Sequence, residues 1–235
     1  MKTLLTIDLD YIAEPYIELY HKVISMESVQ RNWDIILNDP ALTKANFDVN
    51  ISNIVYMFDV YHKALRYCDN VVFGLHHDAI LYELEPFDQS IDLILNLDHH
   101  HDIWYPSSSV PDTQYGMVSD GMWLKFLSET IDIKKYIWIG NENSDTYKGE
   151  VPNFEFKDFN KKTFEFTEED AKEVDFIYIC LSPNYVPKFH WFYFVIMKNA
   201  YENYYGESAK IINDNYKTNP KRTNPDMALS YLEEE

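Results

Sequence analysis

Basic residues are scarce in this chain. Its 235 residues carry 20 Lys and Arg against 39 Asp and Glu, a formal charge of −19. So acidic a chain repels a phosphate backbone, which argues against a nucleic-acid partner. Cysteine is scarcer still, and Cys68 and Cys180 alone make no disulfide framework, which fits a reducing compartment. Long apolar runs are also missing, so no segment is expected to span a membrane. The apolar N-terminal run is broken by Asp8 and Asp10 before a signal-peptide core can form. The expectation is a soluble cytoplasmic protein. Hydrophobic residues make up 46% of the chain and aromatics 16%, enough for a sizeable core and against wholesale disorder.

The acid is unevenly placed. Between Arg66 and Lys125 lie 58 residues with ten Asp or Glu and no Lys or Arg, and Thr3 to His21 adds four acids with no base. Solvated surfaces normally mix both signs, so these stretches ask what supplies the missing positive charge. Metal ions or a cationic substrate would do so.

Short apolar runs alternate with helical patterns. Residues 3–9, 70–75, 91–97, 136–139 and 175–181 read as buried strands, several rich in β-branched residues. Residues 27–37, 51–67, 119–130 and 191–203 read as helices. This alternation predicts an α/β fold, three α-β-α layers around a mainly parallel sheet. A single domain is expected over residues 1–212. Within it, residues 141–170 form a polar excursion with a small hairpin near Thr163 to Phe166. Residues 213–235 are polar, contain two Asn-Pro steps, and read as a loosely packed C-terminal tail.

Ligands of parallel α/β sheets bind beyond the carboxyl ends of the strands, so the strand endings carry the functional information. The first ends in Asp8-Leu-Asp10, the second in Gly74-Leu-His76-His77-Asp78, and the third in Asp98-His-His100-His-Asp102. Extended backbone would put Asp98, His100 and Asp102 on one side, and Asp8 and Asp10 likewise. A lone Asp-x-Asp is usually a cap, and a lone His pair is usually incidental. Five consecutive polar residues after a buried strand are different, because something must satisfy them. A set of four carboxylates with one or two imidazoles suits Mn²⁺ rather than a thiolate zinc site. Six ligands exceed what one tetrahedral zinc needs and match two ions bridged by shared carboxylates.

These residues resemble the arginase and deacetylase superfamily. Asp98-His-His100-His-Asp102 looks like its Asp-x-His-x-Asp motif, and Gly74 to Asp78 is similar to its Gly-Gly-Asp-His-Ser element. Asp8-Leu-Asp10 followed by Glu14-Pro15 resembles its Asp-x-Asp-x-x-Asp-Pro element. In arginases that last element comes at the end; here it comes first. The order, the short chain and the phrases IDLDYI and NLDHHHDI resemble the peptide arginases, which convert arginine side chains of ribosomally made peptides to ornithine and urea. The matching motifs cover about 30 residues directly, and the remainder matches only in strand order.

The resemblance implies two Mn²⁺ ions bridged by Asp98 and Asp8, with Asp102 and a histidine of the second strand on one ion and His100 and Asp10 on the other. His76 and His77 both remain open for that histidine: the arginase register favours His77, and alignment on Asp78 favours His76. Asp102 would hold the attacking water in line. The histidine that arginases place about a dozen residues further on has no counterpart here. His99, His101 or the non-ligating member of the His76/His77 pair would then serve as general acid. A guanidinium also needs a carboxylate partner, for which Glu142 is best placed and Glu85 and Asp120 are alternatives.

The expected partner is therefore an arginine-containing precursor peptide. Competing readings are a ureohydrolase for a small guanidine such as free arginine or agmatine, a one-zinc deacetylase-like amidohydrolase, and a non-catalytic metal-stabilised binding module.

Overall fold

The computed structural model describes residues 1–13, 26–38, 48–84, 87, 90–103, 120–144, 147, 153–183 and 185–212, with the side chains of 26–29, 32, 82 and 120 outside that description. In chain order the elements are β1 (Thr3–Asp8), α1 (Met26–Leu37), α2 (Ile51–Leu65), β2 (Val71–Gly74), β3 (Ser90–Ile91), β4 (Leu93–Leu97), α3 (Trp123–Thr130), β5 (Asp132–Ile133), β6 (Lys135–Gly140), β7 (Glu155–Asn160), α4 (Glu168–Lys172), β8 (Val174–Cys180), α5 (Phe192–Tyr205) and β9 (Lys210–Ile212). Seven strands form one sheet in the order β7-β6-β4-β1-β8-β2-β9, and every pairing within it is parallel. β3 and β5 pair separately.

The strands are apolar on both faces because both faces are covered. Leu5, Ile7, Leu95, Leu97, Ile177 and Ile179 point into a core shared with Trp33 of α1, Met57 and Val60 of α2, and Phe194 and Met197 of α5. The alternate residues Leu4, Ile94, Trp138, Phe176 and Tyr178 pack on the other side with Ile80 and with Trp123, Leu124 and Leu127 of α3. The expected three-layer α-β-α fold is what the chain adopts. Helix boundaries have local causes. Asn50 caps α2 by accepting from the amides of Ser52 and Asn53, and a reciprocal Thr167–Asp170 capping box opens α4.

Two strand readings change. No hairpin forms near Thr163 to Phe166: residues 155–160 are a single edge strand laid parallel to β6, followed by a turn in which Thr163 and Phe164 donate to the Asn160 carbonyl. Lys157 and Asp158 give this edge its charge, which keeps it from pairing further and also hid it in the sequence. The reading of 91–97 as one strand also fails, because Ser90–Ile91 belongs to the small sheet and β4 begins at Leu93. Residues 213–235, expected to form a tail, lie outside the described residues.

Register positions the site. Asp8 lies level with Cys180, Gly74 is level with the same Cys180, and Ile7 is level with Leu97. The endings of β1, β2, β4 and β8 therefore meet on one edge, with β1 at the centre.

Candidate metal centre

β1 ends in Asp8, and the chain turns at once into a 3-10 helix, Leu9–Ile12. The turn is made by Asp8 itself, whose Oδ1 accepts the Asp10 amide at 3.0 Å. β4 ends the same way: Asp98 Oδ1 accepts the His100 amide at 2.8 Å. Each pair is brought together by a side chain capping the amide two residues on, not by the pleat of an extended strand. Asp102 departs further from extension, with φ of 53°. The expected period-2 geometry is thus replaced by two aspartate turns that reach the same result.

After Gly74 the chain passes through Leu75 and His76 into a second 3-10 helix, His77–Tyr82. A Cβ at Gly74 would collide with the buried Tyr178 hydroxyl, so a larger residue there would have to push that side chain aside. His77 Nδ1 stands 2.9 Å from Asp102, 3.1 Å from Asp98 and 3.3 Å from Asp8. A second group lies beside it: His100 Nδ1 is 2.8 Å from Asp10 Oδ2 and 4.0 Å from Asp98 Oδ1. Asp8, His77 and Asp98, and separately Asp10, Asp98 and His100, are each disposed to hold a metal ion. Asp98 belongs to both groups. Asp8, implied by the resemblance as a second bridge, belongs to the first alone.

The surroundings fit a cation. His77, Asp8, Asp10, Asp98 and Asp102 are all buried, none more than 3% exposed. Among the described residues, no Lys or Arg pairs with these carboxylates. Neither ring nitrogen of buried His77 makes an aligned hydrogen bond, although three carboxylates crowd Nδ1. Octahedral coordination at bond lengths of about 2.1 Å sets neighbouring ligand atoms about 3 Å apart, as the atoms around Nδ1 are.

The protonation pattern of the metal-free chain says the same. Burial, Asp8 and Asp98 push the Asp10 carboxyl up to about 7, and burial, Asp102 and Asp8 do the same to Asp98. Burial works against a charged His77, but the surrounding carboxylates, Asp102 first, raise its pKa well above the usual value. Burial also favours neutral Asp8, yet His77, the Asp10 amide and Ser182 together hold its carboxyl below the ordinary range. Protons here stand where a metal cation would serve better.

Side chains the sequence did not single out hold the candidate ligands. Trp123 Nε1 donates to Asp102 Oδ2 at 2.6 Å, and its ring stacks on His77 with centroids 4.8 Å apart. Asn96 donates to Asp98 Oδ2 at 3.2 Å and accepts the Thr6 hydroxyl across the sheet. Trp138 Nε1 donates to the Asp98 carbonyl at 3.0 Å, and the Ser182 hydroxyl donates to Asp8 Oδ2. Tyr185 packs its ring 5.0 Å from that of His100. Such partners fix ligand orientation. Their one signal in the sequence is position: Asn96 and Ser182 lie within two residues of a strand end.

Asp102, although 2.9 Å from His77 Nδ1, and the remaining expected residues fall outside the two groups. His76 sits at the N-terminal boundary of the 3-10 helix without a side-chain cap, its carbonyl accepts from Tyr178, and His77 is the histidine that joins the first group. His99 stands next to the second group, with its ring centroid 4.9 Å from that of His100 and its amide donating to Asp10 Oδ1. His101 packs against Trp138 and Tyr147, and its Nδ1 accepts the Ile103 amide, which places the proton on Nε2 when the ring is neutral. Glu142 follows β6 but pairs with Lys162 at 2.8 Å and Lys161 at 3.7 Å, which hold its carboxyl below the usual range. A guanidinium would have to displace those lysines. Glu85 and the Asp120 side chain lie outside the described residues.

Comparison with family models, with curated proteins and with solved structures gives no match to this chain.

Proposed function

We propose that this chain is a dinuclear manganese-dependent hydrolase that converts arginine side chains of a ribosomally made precursor peptide to ornithine, with release of urea. One observation carries the dinuclear part: Asp98 is common to both ligand groups, one carboxylate oxygen facing each. Asp8, His77, Asp98 and Asp102 would hold one ion, and Asp10, Asp98 and His100 the other. Two divalent ions supply Lewis acidity, making water nucleophilic near neutral pH and stabilising charge in the transition state. Donors that are mostly carboxylate oxygens with one imidazole per ion suit Mn²⁺ better than a thiophilic metal.

The chain's own residues do the rest. Trp123 holds Asp102 by its Oδ2, so Asp102 is fixed beside the first group and can orient the attacking water. The leaving amine needs a proton, and His99 lies closer to the second group than His101 does by ring contact. His100 is the most open candidate ligand, 17% exposed against 1% for Asp10, so substrate approaches from its side. The choice of peptidyl arginine rests on the resemblance in the motifs and on charge, since a body at −19 attracts a cationic peptide.

Elemental analysis of the purified chain tests the metal, and near two Mn per chain is expected. One Zn per chain would sink the proposal. Urea release from an arginine-containing peptide, run beside free arginine and agmatine, tests the substrate. Turnover of the small guanidines alone would move the assignment to them.

A further inference from the structure

Among the described residues other than glycine, Asp102 and Ser182 are the two with left-handed backbone, at φ of 53° and 47°. Both reach the same site. Asp102 is a candidate ligand, whereas Ser182 is not one and follows β8 by two residues. A serine held in this region carries strain, which persists only where the surroundings over-determine the conformation.

They do so here. The Ser182 amide donates to the Leu75 carbonyl at 2.9 Å, and its own carbonyl accepts from Tyr185 at 2.9 Å and Val186 at 3.0 Å. One residue on, the Pro183 carbonyl accepts Trp33 Nε1 of α1 at 2.8 Å. The turn is thereby tied to β2, to its own following loop and to a helix. Its product is a buried hydroxyl placed on Asp8 Oδ2, with Cys180 Sγ 3.3 Å from the serine Oγ. A hydroxyl has one proton to give. An ionised Asp8 only accepts, so the serine proton goes to Asp8, and the single Cys180 thiol proton faces two acceptors, Ser182 Oγ and the Leu75 carbonyl at 3.6 Å.

We propose that Ser182 is a positioning residue: its strained turn aims the hydroxyl at Asp8 and so fixes that carboxylate toward the ion held with His77 and Asp98. The inference rests on the metal reading above. It separates cleanly from a structural role, because a residue kept for the fold loses stability when replaced. Ser182→Gly removes the hydroxyl and relieves the left-handed strain together. In the metal-free variant the lost bond to Asp8 and the relieved strain oppose each other, so its Tm should stay close to wild type, while Mn²⁺ affinity falls about 10- to 100-fold. Ser182→Ala, which removes the hydroxyl and leaves the strain, should show the same affinity loss.

The experiment is calorimetric Mn²⁺ titration of wild type and both variants, with Tm measured on the chelator-treated proteins. Affinity unchanged in either variant overturns the proposal. So does an affinity loss in Ser182→Gly accompanied by a metal-free Tm well below wild type, since that marks a fold residue. A wild-type chain that takes up no Mn²⁺ overturns the metal reading and this one together; failure confined to the variants overturns this one alone.

Discussion

At the amino ends of the strands, Asp92 precedes β4 and accepts the Lys2 amide at 2.7 Å while pairing with Lys134. Asp175, early in β8, accepts the Thr3 amide at 2.7 Å. At the carboxyl ends of β4 and β1, Asp98, Asp102, Asp8 and Asp10 are buried beside His77 and the partly buried His100, with no lysine or arginine paired to them among the described residues. Lys134 and the Lys2 amide hold the Asp92 carboxyl low, whereas burial and neighbouring carboxylates push Asp10 and Asp98 up to about 7. The same residue type at the two ends of one sheet meets opposite fates. At one end the chain supplies its own cation. At the other it gathers acceptors and, among the described residues, withholds one, an arrangement that could hold a metal ion.

That contrast can be broken most severely at the shared carboxylate. Asp98→Ala should abolish Mn²⁺ uptake at both groups and urea release with it, read by metal analysis and a urea assay; retained uptake of two ions would end the bridging assignment.

Next in size is the behaviour of the metal-free chain with pH. Asp10 and Asp98 titrate near 7 when folded and near the ordinary 3.8 when unfolded, so between those values the folded state binds more protons. Stability should then fall as pH rises from about 4 to 7, by on the order of a few kcal/mol for the coupled pair. His77, raised when folded, acts in the same direction. Asp8, held low, contributes only as pH falls through the carboxylate range. Saturating Mn²⁺ should flatten this loss, because metal replaces the protons. Thermal melts of chelator-treated and Mn²⁺-loaded protein at pH 5 and pH 8 check it.

A smaller effect is expected from Trp123→Phe, which keeps a ring against His77 but removes the donor to Asp102. Mn²⁺ affinity should weaken about 10- to 100-fold in a calorimetric titration. Smallest of all is Asp92→Asn at the other end of the sheet, which should leave Mn²⁺ affinity unchanged and Tm nearly so. A metal phenotype there would erase the distinction between the two ends.

The residues of the two acidic groups were legible because chemistry and fold share one signal. Asp8, Asp98 and His77 each follow an apolar run of a parallel strand, and strand endings are where such sheets put their sites. The local geometry was not legible: Asp-x-Asp spacing is equally compatible with a pleat and with a capping turn, and the structure uses the turn. Trp123 and Ser182 were hidden for another reason. They act through tertiary placement, and a tryptophan opening a helix or a serine before a proline looks like ordinary core and punctuation. Glu142 misled for the converse reason, since its place after β6 says nothing of Lys161 and Lys162 beside it. β7 escaped because an edge strand with Glu155, Lys157 and Asp158 lacks the apolar run that marks β1, β2, β4, β6 and β8, and the short β5 and β9 escaped with it.

The central place of β1 has a consequence for how the molecule comes into being. Its two neighbours, β4 and β8, both follow it along the chain, and Asp8 reaches its level partner Cys180 only across most of the fold. During synthesis the strand that ends in Asp8 emerges before β4 and β8 and waits, apolar and unpaired, for residues made much later. Such non-local closure is slow, and a waiting apolar strand is a point of exposure to aggregation. The acidic pocket comes into existence only when β8 docks, so an ion that binds there selects chains whose last central strand is already in place.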